Sequence, residues 1–137
     1  MNQDAFEYEF IVTLKDINMY GTVYFSRYFE WQGICRELYF TTVENYQEIF
    51  NNITLVTKHA WNEYKKQIHA FDRILLRVQN RNIKKSSFEM MFIYLNKQSG
   101  EVVSIGGETL IFVNNKGSIL RLPEGIKKVI TNHIYFE

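Results

Sequence analysis

At 137 residues the chain has the length of one domain, enough for a hydrophobic core and too short for a second. Sixteen basic against fifteen acidic residues leave a net charge of +1, which excludes the broad positive field that non-specific binding to nucleic acid or an anionic membrane requires. One cysteine excludes an intrachain disulfide, and no run approaches the roughly 18 apolar residues of a membrane span.

Asp4, Glu7 and Glu9 stand where a secretory leader would need basic and then apolar residues, so the chain is expected to be soluble and cytoplasmic. An aromatic share of 16% beside a single proline favours sheet and interface packing, hence a β-rich oligomer. From Phe6 to Leu14 apolar residues alternate, with Phe6, Tyr8, Phe10, Val12 and Leu14 on one face: a half-buried strand. Asp16, Asn18 and Gly21 then break the pattern with turn chemistry, and Gly21 is free to take a positive φ.

From Tyr24 the period becomes helical. Trp31, Cys35, Leu38 and Thr42, flanked by Ile34, form the expected buried stripe, while Tyr28, Gln32 and Arg36 fall at i, i+4 and i+8 on a separate polar face. Gly33 in mid-helix suggests that another backbone passes close by. The helix is expected to fray at Thr41 to Val43, with a short turn over Glu44 to Phe50.

Four strands follow: Ile53 to Trp61, Phe71 to Asn82, Ser86 to Leu95 and Val102 to Val113. Lys97 to Gly100 and Asn114 to Gly117 supply hairpin turns. Gly106 and Gly107 inside the last strand suggest a bulge or the close approach of a helix. Pro123 suits the first turn of a short helix over Glu124 to Ile130. The sum is a single α+β domain over 1–137, a five-stranded antiparallel sheet around one long helix.

The string Asp16-Ile17-Asn18, Gly21, Val23-Tyr24-Phe25, Tyr28, Trp31-Gln32-Gly33 and Arg36-Glu37, continued by Ala70-Phe71-Asp72, resembles the hot-dog thioesterases that release polyketides from enediyne synthases, within the wider relatives of 4-hydroxybenzoyl-CoA thioesterase. The resemblance implies a hot-dog fold, a dimer or tetramer with sites between protomers, an acyl thioester substrate on an acyl carrier protein or CoA, and a polyketide synthase as a partner. It implies no cofactor. Many members carry a carboxylate in the loop where this chain has Asn18. An amide is neither base nor nucleophile; it orients water or donates to an oxyanion.

On that resemblance the catalytic residues are Asn18, Tyr28 and Arg36. Backbone N–H groups of Gly21, Thr22, Val23 and Tyr24, where loop enters helix, suit an oxyanion hole. Asp16, Gln32 and Glu37 are supporting residues, Asp16 chiefly as the loop's scaffold. The released β-keto acid would then decarboxylate.

Other residues carry two readings. Arg73, Arg77 and Arg81, near Lys84 and Lys85, form either a contact for a phosphopantetheine phosphate or acidic carrier, or a solvated sheet face. Tyr24, Phe25 and the stripe Phe88, Met90, Phe92, Tyr94 are acyl-contacting or core. Cys35 reads as a buried structural thiol, and His59, His69 and His133 lack metal-ligand spacing, so no metal is expected. An acyl-CoA thioesterase of primary metabolism and a non-catalytic acyl-binding protein are the alternatives.

Overall fold

A computed structural model describes residues 4–136. β1 (Phe6–Ile11) alternates as its residues require, turning Phe6, Tyr8 and Phe10 towards the core. It stops three residues short of the expected end. Asp16 reaches back to accept from the Thr13 N–H at 2.9 Å, folding Leu14–Asp16 into a 3₁₀ turn that leaves Leu14 exposed.

α1 (Phe25–Phe40) is followed by one turn, α2 (Tyr46–Ile49), and then by β2 (Ile53–Tyr64), which runs three residues past Trp61. β3 (Arg73–Arg81), β4 (Phe88–Asn96) and β5 (Val102–Asn114) are joined by the expected turns. Asn96 and Asn114 accept from N–H groups two residues on, and Gly100 and Gly117 take φ of 76° and 81°. Every neighbouring pair is antiparallel in the order β1-β3-β4-β5-β2.

Burial alternates along β3 and is nearly continuous along β4 and β5. Ile74, Leu76 and Val78 of β3, Phe88, Met90, Phe92 and Tyr94 of β4, and Leu110 and Phe112 of β5 share a hydrophobic cluster with α1. Full burial of each such side chain contributes about 1.5–3 kcal/mol. The β4 stripe is thus core. α3 (Glu124–Thr131), with Pro123 as its N-cap, adds Ile126 and Ile130. Asn80 secures this end by donating to the Ile130 and His133 carbonyls at 3.2 and 3.1 Å.

The buried face of α1 differs from the expected stripe. Tyr28, Trp31, Gln32, Cys35 and Tyr39 are buried, whereas Ile34 and Leu38 are 46% and 40% exposed and Thr42 faces solvent. Tyr28 and Gln32 therefore lie on the same buried side as Trp31, whose ring centroid is 5.3 Å from that of Tyr28. Gly33 also departs from expectation: a Cβ there would meet nothing within 4 Å. The close approach is at Gly106, where a Cβ would collide with Gln32 Nε2 and come within 2.5 Å of Asn62 Oδ1.

Candidate active site

The loop between β1 and α1 is built on two side chains. Asp16, buried, caps Thr13 and stands 3.4 Å from Arg27 Nε. Asn18 closes the turn: its Oδ1 accepts from the N–H groups of Tyr20 and Thr22 at 2.9 and 3.1 Å, and its Nδ2 donates to Thr22 Oγ1 at 2.7 Å. Gly21, at φ 81°, completes the loop.

This folding consumes most of the donors expected of an oxyanion hole. The Gly21 N–H goes to the Asn18 carbonyl, that of Thr22 to Asn18 Oδ1, and that of Tyr24 to the Asp16 carbonyl. Of the four, the Val23 N–H alone has no acceptor among the described residues; Val23 is bridged to Ile17 and lies one residue before the N-cap Tyr24 of α1. A free N–H beside a helix N-terminus can donate to developing negative charge.

Val23 lines a cleft of about 350 Å³ with Thr22, Phe25, Tyr28, Tyr64 and Ile68. Tyr28 packs edge-on against Tyr64 and Tyr94, and burial, followed by the charge of Tyr64, pushes its phenol up to about 12. It is a neutral hydroxyl at physiological pH.

Arg36 lies elsewhere. It is about three turns, roughly 16 Å at 1.5 Å per residue, down α1 from Phe25. Its Nη1 donates to Glu108 Oε1 at 2.5 Å and to Thr57 Oγ1 at 2.8 Å. It borders a second cleft of about 410 Å³, lined mainly by Phe40, Tyr46, Phe50 and Leu55, with Glu37 at the rim. Within one chain the structure brings Tyr28 to the loop but leaves Arg36 at the far end of the helix.

Gln32, fully buried between these ends, donates to Tyr94 Oη at 2.8 Å and Asn62 Oδ1 at 3.1 Å, and Tyr94 donates to the Tyr28 carbonyl at 3.0 Å. This network fixes the middle of α1 against the sheet. The basic ladder is paired: Arg73 with Glu9, Arg77 with Glu7 and Arg81 with Glu89. Glu9 is shared, lying 2.8 Å from Lys97 Nζ as well, so Arg77 is matched one to one while Arg73 and Lys97 share a single carboxylate.

The polar residues missed from sequence are Glu108, Thr57, Asn62 and Tyr94's hydroxyl. Glu108 carried a usable signal: it shares strand parity with Leu110 and Phe112, so an inward carboxylate follows from period two alone. Burial holds its carboxyl above the usual range, opposed by Arg36. Among the described residues no three His, Cys, Asp or Glu side chains form a metal-ligand group, and no helix is long and apolar enough to cross a membrane.

The fold is shared by solved thioesterases. The dynemicin thioesterase, whose structures describe polyene binding, superposes with a TM-score of 0.88 at 21% identity, covering 98% of this chain and 100% of that one. A 1,4-dihydroxy-2-naphthoyl-CoA thioesterase from Synechocystis gives 0.81 at 18%, covering 93% and 96%. A Staphylococcus aureus protein in complex with CoA gives 0.87 at 14%, covering 100% and 90%. No curated protein matches in sequence. The thioesterase-like superfamily matches residues 12–130, and the chain belongs to that superfamily.

Proposed function

We propose that this chain hydrolyses the thioester of an acyl group borne on an acyl carrier protein, a polyketide chain being the class favoured by its likeness to the dynemicin enzyme. The observation that carries the proposal is the free Val23 N–H at the mouth of α1, in a cleft shared with the neutral hydroxyl of Tyr28. Such donors stabilise a thioester oxygen as water attacks the carbonyl carbon. The tetrahedral adduct then expels the thiol as the C–S bond breaks. Decarboxylation follows only where the released acid is a β-keto acid. No cofactor enters.

Arg36 belongs to this chemistry through a second copy. A residue about 16 Å along a helix from the loop, its head tied to Thr57 and Glu108, does not reach the carbonyl that Val23 holds. An antiparallel partner brings its own Arg36 to that cleft, so the working unit is a homodimer or a pair of them, located in the cytoplasm. Asn18 acts by shaping the loop. Carrier docking falls to the rim of this cleft, with Arg73 and Arg77 as weaker contacts given their acidic partners.

The decisive experiment mixes two variants. Asn18→Ala and Arg36→Ala each lose about 100-fold or more in turnover of a carrier-bound acyl thioester. Co-expressed, they recover about a quarter of wild-type activity, because half the dimers are mixed and each mixed dimer holds one intact site. Absence of recovery refutes the shared site. Absence of wild-type hydrolysis on both carrier and CoA, with acyl binding intact, refutes the hydrolase and favours an acyl-binding protein, a reading that the amide in place of an acid at Asn18 feeds. Faster turnover of the CoA ester favours an acyl-CoA thioesterase.

A further inference from the structure

Glu108 is a buried carboxylate, 3% exposed, on the inner face of β5 opposite Ala60 and Met90. Its Oε1 accepts from Arg36 Nη1 at 2.5 Å, and Thr57 Oγ1 accepts from the same nitrogen at 2.8 Å. Arg36 Nε is buried without a hydrogen-bond partner, while Nη2 is not buried and has none among the described residues. Nη1 is thus held by two acceptors and Nε is shut from solvent, leaving Nη2 as the open donor of a side chain that lines the apolar cleft of Phe40, Tyr46, Phe50 and Leu55.

Stability is a poor reason for this arrangement. Desolvating a carboxylate and a guanidinium costs about as much as their attraction returns, and an apolar pair of equal volume generally does as well or better. Beside an open guanidinium edge the carboxylate has two effects. It fixes the plane of a long side chain that would otherwise sample many rotamers, and it cancels the positive charge.

Resting on the thioesterase reading, we propose that Glu108 is a positioning residue that aims the free edge of Arg36 and neutralises it, so that the site donates to a neutral thioester carbonyl yet does not trap the carboxylate it produces. A lone buried arginine would bind that carboxylate with charge-assisted strength. The Glu108 charge removes this surplus and lets product leave. The other titratable groups facing Glu108 are Cys35 on α1 and Tyr94 on β4, both raised by burial and uncharged at neutral pH, so Arg36 is its only charged partner among them.

Octanoate, a product mimic sized for the cleft, tests the charge. In the Glu108→Gln protein the amide oxygen still accepts from Nη1 but the charge is gone. Octanoate affinity, measured by calorimetry without any turnover, rises about tenfold, the 1.4 kcal/mol by which a charge-assisted bond exceeds a compensated one. Turnover falls and octanoate becomes a stronger competitive inhibitor. Thr57→Val tests the aim alone: turnover drops several-fold with octanoate affinity unchanged, and Glu108→Asp recovers part of the charge effect. Unchanged or weaker octanoate binding in Glu108→Gln overturns the proposal, as does wild-type turnover in Thr57→Val. Should Glu108→Gln fail to fold, the Thr57→Val and Glu108→Asp results decide it. A wild-type protein that hydrolyses no thioester while Glu108→Gln still gains octanoate affinity overturns the hydrolase reading and leaves the charge pairing standing.

Discussion

Replacing Gly106 by alanine adds one methyl group, and its cost is legible in the contacts around that atom. The new Cβ collides with Gln32 Nε2 and lies 2.5 Å from Asn62 Oδ1 and 2.9 Å from the Trp61 carbonyl. The third neighbour is backbone of β2, held in register by the pairing of Trp61 with Gly107 and Asn62 with Gly106, so the strand does not yield cheaply. Gln32 must move, losing its bonds to Tyr94 and Asn62 from a fully buried position where its Oε1 already has no partner. Overpacking of this kind costs about 1–3 kcal/mol and a buried polar group stripped of its partners about 1–3 kcal/mol more, so the expected loss is about 3 kcal/mol. With an m-value of about 2 kcal/mol per molar, the urea midpoint falls by about 1.5 M, read by tryptophan fluorescence at one protein concentration. The same change at Gly33, in open space within a helix, stabilises by about 0.5–1 kcal/mol. A Gly106→Ala protein within 0.5 kcal/mol of wild type refutes the account of the Gln32 network.

Further outcomes follow from the same contacts. Asp16→Ala, which strips the cap from Thr13 and leaves Arg27 to Glu30 and the Lys15 carbonyl, costs about 2 kcal/mol in urea unfolding while Asp16→Asn costs about half; equal losses contradict a charge role. Cys35 is fully buried and its thiol is pushed up to about 12, chiefly by burial and then by Glu108, so a disulfide reagent at about pH 8 modifies it only after denaturation; rapid native labelling is the contrary result. Burial raises the ionisation of Tyr28, Tyr39, Tyr94 and Cys35 above the values of 9 to 10 these groups have when unfolded. Their contribution is complete below about pH 9 and is lost as pH rises from there through the raised folded-state values, as the unfolded chain ionises first. The urea midpoint should hold from about pH 7 to 8.5 and fall steeply by about pH 11, and a flat profile contradicts the burial of these hydroxyls. His133 acts at the other end: burial lowers its pKa, so its stabilising share, present above about pH 6.5, disappears as pH drops, and His133→Gln flattens that limb.

The sheet was legible because burial alternates along β3 and β4 is apolar almost throughout, although Asn80, Ser104 and Glu108 put polar groups on the buried side. The turns were legible from Lys97 to Gly100 and Asn114 to Gly117, although the part of Asn96 was not. The long helix was legible as a helix, but its orientation was not. Tyr28 and Gln32 are polar by type and read as a face separate from the Trp31 stripe, whereas Tyr94 and Asn62 wait inside to bond the Gln32 amide; Ile34 and Leu38 are apolar by type and lie outside in the single chain. The end of β1 escaped because Leu14 keeps the alternation while Asp16, two residues on, overrides it with a cap. In the site, Asp16 as scaffold was readable from turn chemistry. Glu108 was not picked out, because a charge in a strand reads as solvent-facing unless its parity is compared with Leu110 and Phe112. The commitment of loop amides to Asn18 required coordinates, since donors and acceptors only two to four residues apart decide it.

The strand order also sets a timetable for synthesis. β1 finds its partner only when β3 exists, Phe6 opposite Val78, and β2 waits for the far end of β5, Ile53 opposite Asn114. Only the β3-β4-β5 meander is local. While the ribosome makes the middle of the chain, the first strand and the Trp31 and Tyr39 face of α1 have left the tunnel with nothing to cover them. Such non-local pairing folds slowly, on the scale of milliseconds to seconds. The amino-terminal third therefore stays uncovered until the last strand is made, the interval in which aggregation competes with folding.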